Sequence, residues 1–376
     1  MVYLDCNATT PMEPEVRDVM LTFMDQEFGN EGSRTHLYGI RAKQAVQKAR
    51  DLVGAVVGAA RDEVIFTSGA TESNNLVILG LAKWAAKNGH KHIISTSIEH
   101  KATLEPLGIL KEEGFEIDLI EPETHGAVDP EKVRRKIRKD TFLVSIIHGN
   151  NETGVIQPIK EISNILENHQ AYLFIDAAQT YGKQTEDLKL QRIDLISASA
   201  HKIYGPKGIG ALILKHRNHK LPPIAPIMFG GGQENGMRPG TLAVHLIAGF
   251  GKAAELALKN EKKRREVNLK YKARFLKKLN KFNPIAVGQG DVLANTINIR
   301  FAGISSEAFM VAMKNCLAVS NGSACTSSSY QQSHVLRAMQ LSQSEAEGAI
   351  RFSWCHMTPD PNWTDIARGL KSLGAI

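Results

Sequence analysis

Seven short apolar runs recur along the chain, at residues 63–67, 92–96, 116–120, 141–147, 171–176, 193–197 and 208–214. They read as strands. Helical patterns over residues 41–57, 72–87 and 159–167 precede or separate them. Alternation of strand and helix at this spacing predicts an α/β fold. Its core would be a mostly parallel, seven-stranded sheet covered on both faces, with ligands at the carboxyl ends of the strands. A long helical pattern over 241–278 changes the texture, and a strand (295–301), a helix (305–313) and another strand (349–354) follow. These predict a smaller α/β domain. The expected division is a large domain over 15–255 and a small one built from 1–14 and 256–376. No internal repeat or low-complexity tract is present.

Composition bounds the class without naming a chemistry. At 376 residues the chain exceeds one small core, and its 43% hydrophobic and 23% charged content is ordinary for a globular protein. The opening Met1-Val-Tyr-Leu-Asp5 enters a strand directly, with neither a secretory leader nor an apolar run long enough to span a bilayer. Four cysteines (Cys6, Cys316, Cys325, Cys355) are too few and too scattered for a disulfide framework, which points to a reducing cytoplasm. The net charge of +7 permits an acidic partner, but no Lys/Arg stripe interleaved with aromatics supports direct nucleic-acid binding. The densest basic run, residues 259–265, reads as a solvated helix face.

Candidate chemistry stands at the strand ends. Lys202 follows the 193–197 strand into a turn forced by Gly205, Pro206 and Gly208. A lysine lodged there, away from solvent, loses its proton more readily and can form a Schiff base with a carbonyl cofactor. Upstream, the strand ending at Asp176 supplies the carboxylate that pyridoxal phosphate enzymes use to keep the ring nitrogen protonated. Ser68-Gly-Ala70-Thr71-Glu-Ser-Asn74 is a small-residue turn opening a helix, suited to a phosphate or equally to an ordinary N-cap. His100 lies just past a strand end, where it could lie flat on a pyridine ring or move protons. Asn150-Asn151-Glu-Thr-Gly154 brings polar groups to the same edge, and Gln179 is placed to meet the cofactor's phenolic oxygen. Ser199 and His201 flank Lys202 within reach of a phosphate. Taken singly, each of these polar residues reads as a loop hydrogen bond with no ligand.

Two further segments differ in kind. The glycine-rich stretch 229–241 matches neither a Rossmann fingerprint nor a P-loop, and reads as a flexible loop. Cys325 sits in a run of small polar residues, Ser323-Ala-Cys-Thr-Ser-Ser-Ser329, as an exposed thiol would, whereas Cys316 beside Leu317 has the setting of a structural one.

Ser68 to Asn74, Glu99-His-Lys101, Asn150 to Gly154, Asp176-Ala-Ala-Gln179, His201-Lys-Ile-Tyr-Gly-Pro-Lys-Gly208, Arg238-Pro-Gly-Thr241 and Ser323-Ala-Cys-Thr326 occur in this order. Together they resemble a group I cysteine desulfurase of the NifS/IscS type, in the class-V aminotransferase family of fold-type I pyridoxal phosphate enzymes. Gly32-Ser-Arg-Thr35, Tyr38-Gly-Ile-Arg-Ala-Lys43, Ser333-His-Val-Leu-Arg-Ala-Met339 and Arg351-Phe-Ser-Trp354 resemble the Dnd branch, which feeds DNA phosphorothioation.

The resemblance implies that pyridoxal 5'-phosphate is held by Lys202, with Ala70, Thr71, Asn151, Asp176, Gln179, Ser199 and His201 around it. L-cysteine would be anchored by Arg351 and Asn151, His100 would shuttle protons, and Cys325 would take the sulfur as a persulfide. No metal is implied. A sulfur-acceptor protein would collect the product, and Thr241 would reach the phosphate of a neighbouring subunit in a homodimer. Housekeeping members usually carry a second arginine near the position of His356, so carboxylate binding rests here on Arg351. An aminotransferase would share the cofactor but has no need of Cys325. A selenocysteine lyase is chemically adjacent, and a non-catalytic scaffold would not need the full set of Lys202, Asp176 and His100.

Overall fold

The run Thr141–Ile147 is buried at every position, as a strand covered on both faces must be. The structure, a computed structural model, describes residues 1–322 and 332–374. Its strands are β1 (Val2–Tyr3), β2 (Val64–Thr67), β3 (His92–Thr96), β4 (Glu116–Ile120), β5 (Thr141–Ile147), β6 (Tyr172–Asp176), β7 (Leu195–Ser199), β8 (Gly210–Leu214), β9 (Ile285–Ala286), β10 (Thr296–Arg300), β11 (Leu317–Ala318) and β12 (Ile350–Ser353). Its helices are α1 (Pro14–Asp25), α2 (Leu37–Ala55), α3 (Ala70–Lys87), α4 (Lys101–Glu112), α5 (Pro130–Lys136), α6 (Ile159–Ile165), α7 (Val244–Leu279), α8 (Ser306–Met313), α9 (His334–Ala338), α10 (Gln343–Glu347) and α11 (Trp363–Ser372). None of the described helices is long and apolar enough to cross a membrane.

Seven strands form one sheet in the order β2-β8-β7-β6-β5-β3-β4. Only β8 runs against its neighbours β2 and β7; the other adjacent pairs are parallel. The mostly parallel α/β sheet expected from the sequence is therefore present. Alternate residues of β6 feed opposite layers. Leu173 and Ile175 pack with Val46 and Val53 of α2 and Phe250 of α7, while Phe174 packs with Leu76 and Leu81 of α3. The parallel strands send their carboxyl ends to one edge, and the site is built there.

A second, antiparallel sheet has the order β12-β10-β9, and β1 pairs in parallel with β11 beside it. Here Phe275 packs against Trp354, Trp363 and Phe352. The 36 residues of α7 span about 54 Å, enough for one helix to reach both cores. Its amino-terminal half packs on the large sheet and Tyr271, Phe275 and Leu279 on the small one.

Three local expectations change. The strand expected at 193–197 begins at Leu195, because the Asp194 carboxylate is occupied by Arg192 at 2.7 Å and by the Leu173 amide at 2.7 Å. The basic run is not wholly solvated: Arg264 is buried, paired with Glu13 and stacked over Tyr204. The glycine-rich stretch is anchored by Glu234, a buried residue that pairs with Arg50 and accepts the Phe66 amide at 2.7 Å. Of the described cysteines, Cys6 and Cys355 are the buried ones, and Cys316 is half-buried.

Candidate active site

β6 and β7 pair with Asp176 opposite Ser197, so the acid and the segment leading to Lys202 leave the sheet side by side. Asp176 is 3% exposed. Its oxygens accept from Asn74 Nδ2 at 2.8 Å and from the Ala178 amide at 3.0 Å. Both donors are neutral, so neither offsets the carboxylate as a cation would, and a cationic N–H brought to it would make the stronger hydrogen bond. Lys202 ends a single 3-10 turn, Ala200–Lys202, and its Nζ donates to the carbonyls of Asn7 and, at 2.9 Å, Ala8.

The turn before α3 meets the end of β7. The Ala70 amide donates to Ser199 Oγ at 2.8 Å, leaving the hydroxyl proton of Ser199 available. This approach requires glycine: a Cβ on Gly210 would lie 2.6 Å from Gly69 Cα. Amide groups at the start of an 18-residue helix, with a hydroxyl beside them, favour an anion.

His100 caps α4, its Nδ1 accepting the Ala102 amide at 3.1 Å. Burial holds its imidazole below the ordinary histidine range despite the opposing pull of Asp176, and Lys202, His334 and Lys101 add to the depression. With Nδ1 used as an acceptor, the neutral ring carries its proton on Nε2. Next to it the Glu99 carboxyl is pushed up to about 8, by burial first and by the Asp176 charge in addition. His100, Thr71 and Asn151 line a cleft of about 700 Å³ together with Lys101, Glu152 and His334.

The remaining positions divide. Gln179 Nε2 donates to the Asn7 carbonyl at 2.9 Å. His201 is held down to about 4 by burial and then by the charge of Lys202, so it is neutral; its Nδ1 lies 3.1 Å from Thr9 Oγ1. Arg351 is buried on β12, with Nη2 on Asp5 at 2.6 Å and Nη1 on the Asn151 carbonyl at 2.9 Å. Its Nε has no partner among the described residues. Thr241 stands apart: it is exposed and borders a different surface cleft with Phe23, Met24 and Phe28. Cys325 and the rest of its motif, 323–326, lie outside the described residues.

Two residues of the site escaped sequence reasoning. Asn7 is 1% exposed and joins the parts: its carbonyl receives Lys202 and Gln179, its Nδ2 donates to Asn151, and its Oδ1 accepts from Thr296. Asn74 is fully buried and bridges Asp176 to Thr103. The only signal for either was its place in a run of small polar residues.

A family model described as aminotransferase class-V matches residues 2–361. The chain belongs to the class-V aminotransferase family. A curated relative, the cysteine desulfurase IscS of Photobacterium profundum, is 43% identical over 358 residues, covering 94% of this chain and 87% of the relative. The solved structure of DndA from Streptomyces lividans is 43% identical, with a TM-score of 0.83 over 94% of this chain and 98% of the other. SspA in complex with cysteine is 34% identical, also with a TM-score of 0.83, over 94% and 98%. These relatives put the chain among the cysteine desulfurases, enzymes that depend on pyridoxal phosphate. The site fits that cofactor. It offers an amine on Lys202, a deep carboxylate held by neutral donors on Asp176, and an anion-favouring helix start at Ala70 beside the Ser199 hydroxyl.

Proposed function

We propose that this protein converts L-cysteine to L-alanine with Cys325 as the sulfur acceptor, and that the sulfur goes to a partner protein serving DNA phosphorothioation. The observation that carries the desulfurase reading is the meeting of Lys202, Asp176 and His100 at one sheet edge, beside a cleft large enough for an amino acid. When bound, pyridoxal phosphate supplies an electron sink for bonds around the substrate α-carbon.

The protein residues supply the rest. Lys202 would attach the cofactor through its amine, and Asp176 would accept from its ring nitrogen. The Ala70 and Thr71 end of α3, with Ser199 and His201, would receive the phosphate. Gln179 would meet the phenolic oxygen by releasing its Nε2 from the Asn7 carbonyl. Neutral His100 carries a proton on Nε2 and can pass it to the substrate. Arg351, with Asn151, holds the substrate carboxylate and must share its guanidinium with Asp5 to do so. The Cys325 thiolate would attack the substrate sulfur; as the S–S bond forms the C–S bond would break with its electron pair left on carbon, which would take up a proton to give alanine while Cys325 holds the persulfide.

The destination of the sulfur rests on the motifs at 32–43 and 333–339 and on the likeness to DndA. Deleting the gene from its host and treating genomic DNA with iodine, which cleaves phosphorothioate linkages, tests it. Loss of iodine cleavage is expected. Unchanged cleavage, with no second desulfurase able to substitute, would return the chain to iron–sulfur cluster or thiolated-tRNA supply.

We further propose a homodimer sharing its sites through Thr241. Exposed Met24 and Phe28 beside Thr241, with Phe28 stacked on the exposed Tyr38 at 5.2 Å between ring centroids, support it, since a contiguous exposed apolar patch marks a contact face. Light scattering should give a dimer, and Thr241→Ala should weaken cofactor retention with the fold intact. A monomer with full cofactor occupancy would contradict it.

A further inference from the structure

The attack assigned to Cys325 needs a thiolate, so the thiol must first hand its proton to a base. His100 is not that base: the Ala102 amide occupies its Nδ1 lone pair at 3.1 Å, and the neutral ring can only donate. His334 has the opposite arrangement. Its Nε2 lies 2.8 Å from the Glu99 carbonyl, which can only accept, so Nε2 carries the proton and Nδ1 keeps its lone pair. No described residue donates to that Nδ1. The residue before it ties the start of α9 to the 150–154 segment: Ser333 Oγ accepts the Leu336 amide at 3.2 Å and donates to Glu152 Oε2 at 2.5 Å. His334 lines the same cleft as His100, and so do Gly322 and Gln332, the described residues on either side of 323–331. Cys325 is three residues from Gly322, a chain length of at most about 11 Å.

We propose that His334 is the general base that takes the proton of the Cys325 thiol. The inference rests on the assignment of Cys325 made above. The S–H bond breaks with its electron pair on sulfur, and the proton goes to His334 Nδ1. That pair forms the S–S bond to the substrate sulfur, while the C–S pair stays on carbon, which takes a proton from His100 Nε2. One proton has then been gained by His334 and one lost by His100, so a transfer between them through water in the open cleft resets both rings. Lys101 and Arg337 also line the cleft and favour a thiolate by their charge, but an ammonium or guanidinium has no lone pair to receive the proton.

The test uses holoenzyme and the variant His334→Gln, whose Nε2 can still donate to the Glu99 carbonyl but which carries no base. Iodoacetamide labelling of Cys325 at neutral pH, followed by mass spectrometry of its peptide, should be about tenfold slower than in wild type. Sulfide release should lose about 10²-fold in kcat with KM little changed. The change in visible spectrum on adding L-cysteine should persist. In His334→Ala, imidazole added to the buffer should restore turnover, as it would for a missing base and not for a missing contact. Wild-type labelling and turnover in His334→Gln, or a slow His334→Ala that imidazole does not restore, would overturn the inference while leaving Cys325 in place. Sulfide release undiminished in Cys325→Ala would overturn the assignment of Cys325 and the inference with it.

Discussion

Cys325→Ala is expected to reduce sulfide release from L-cysteine, with a thiol reductant present, by roughly 10³-fold or more, while the protein stays yellow. The separation of the two effects follows from the division of labour in the site. Cofactor attachment is assigned in the proposed mechanism to Lys202, Asp176 and the start of α3, none of which depends on the thiol, whereas the sulfur needs a nucleophile to land on. No described cysteine can stand in for it. Cys355 is lowered to about 6 by its contact with Cys6, an acidity that would suit a nucleophile, but the two residues are only 2% and 1% exposed. Cys316 lies before β11 in the small sheet region, its Sγ bonded to the Met313 carbonyl. Cys6→Ala should therefore keep its turnover. Full activity in Cys325→Ala, or loss in Cys6→Ala, would mean that the nucleophile has been misassigned.

Lys202→Ala should be colourless as purified and slower by about 10²–10⁴-fold. It removes both the proposed attachment point of the cofactor and the amine that donates to the Asn7 and Ala8 carbonyls. Those carbonyls stay behind without their donor, so a modest loss of stability should accompany the loss of colour. The measurement is the visible spectrum beside a turnover assay. A yellow Lys202→Ala protein, with borohydride label on Lys207 instead, would refute the assignment.

The large sheet was legible because its parallel strands are buried on both faces and so appear as unbroken apolar runs. Thr141–Ile147 is the clearest of them. β7 was placed two residues early because Ile193 is as buried as a strand residue, although Asp194 is tied up by Arg192 in the loop. In the site, Lys202, Asp176 and His100 could be found because titratable side chains at strand ends are uncommon and ligands gather there. Asn7 was not, since it acts largely through its main-chain carbonyl, which every residue possesses. Arg264 was read as one more solvated charge because its partner, Glu13, stands far away in sequence.

The central claim is that this site splits L-cysteine through a cofactor on Lys202. Its most direct test is to incubate the purified protein with L-cysteine and a thiol reductant and to quantify alanine and sulfide together. The account predicts one alanine for each sulfide, with a change in the visible spectrum on adding cysteine. Pyruvate and ammonia in place of alanine, or no spectral change and no alanine, would contradict it.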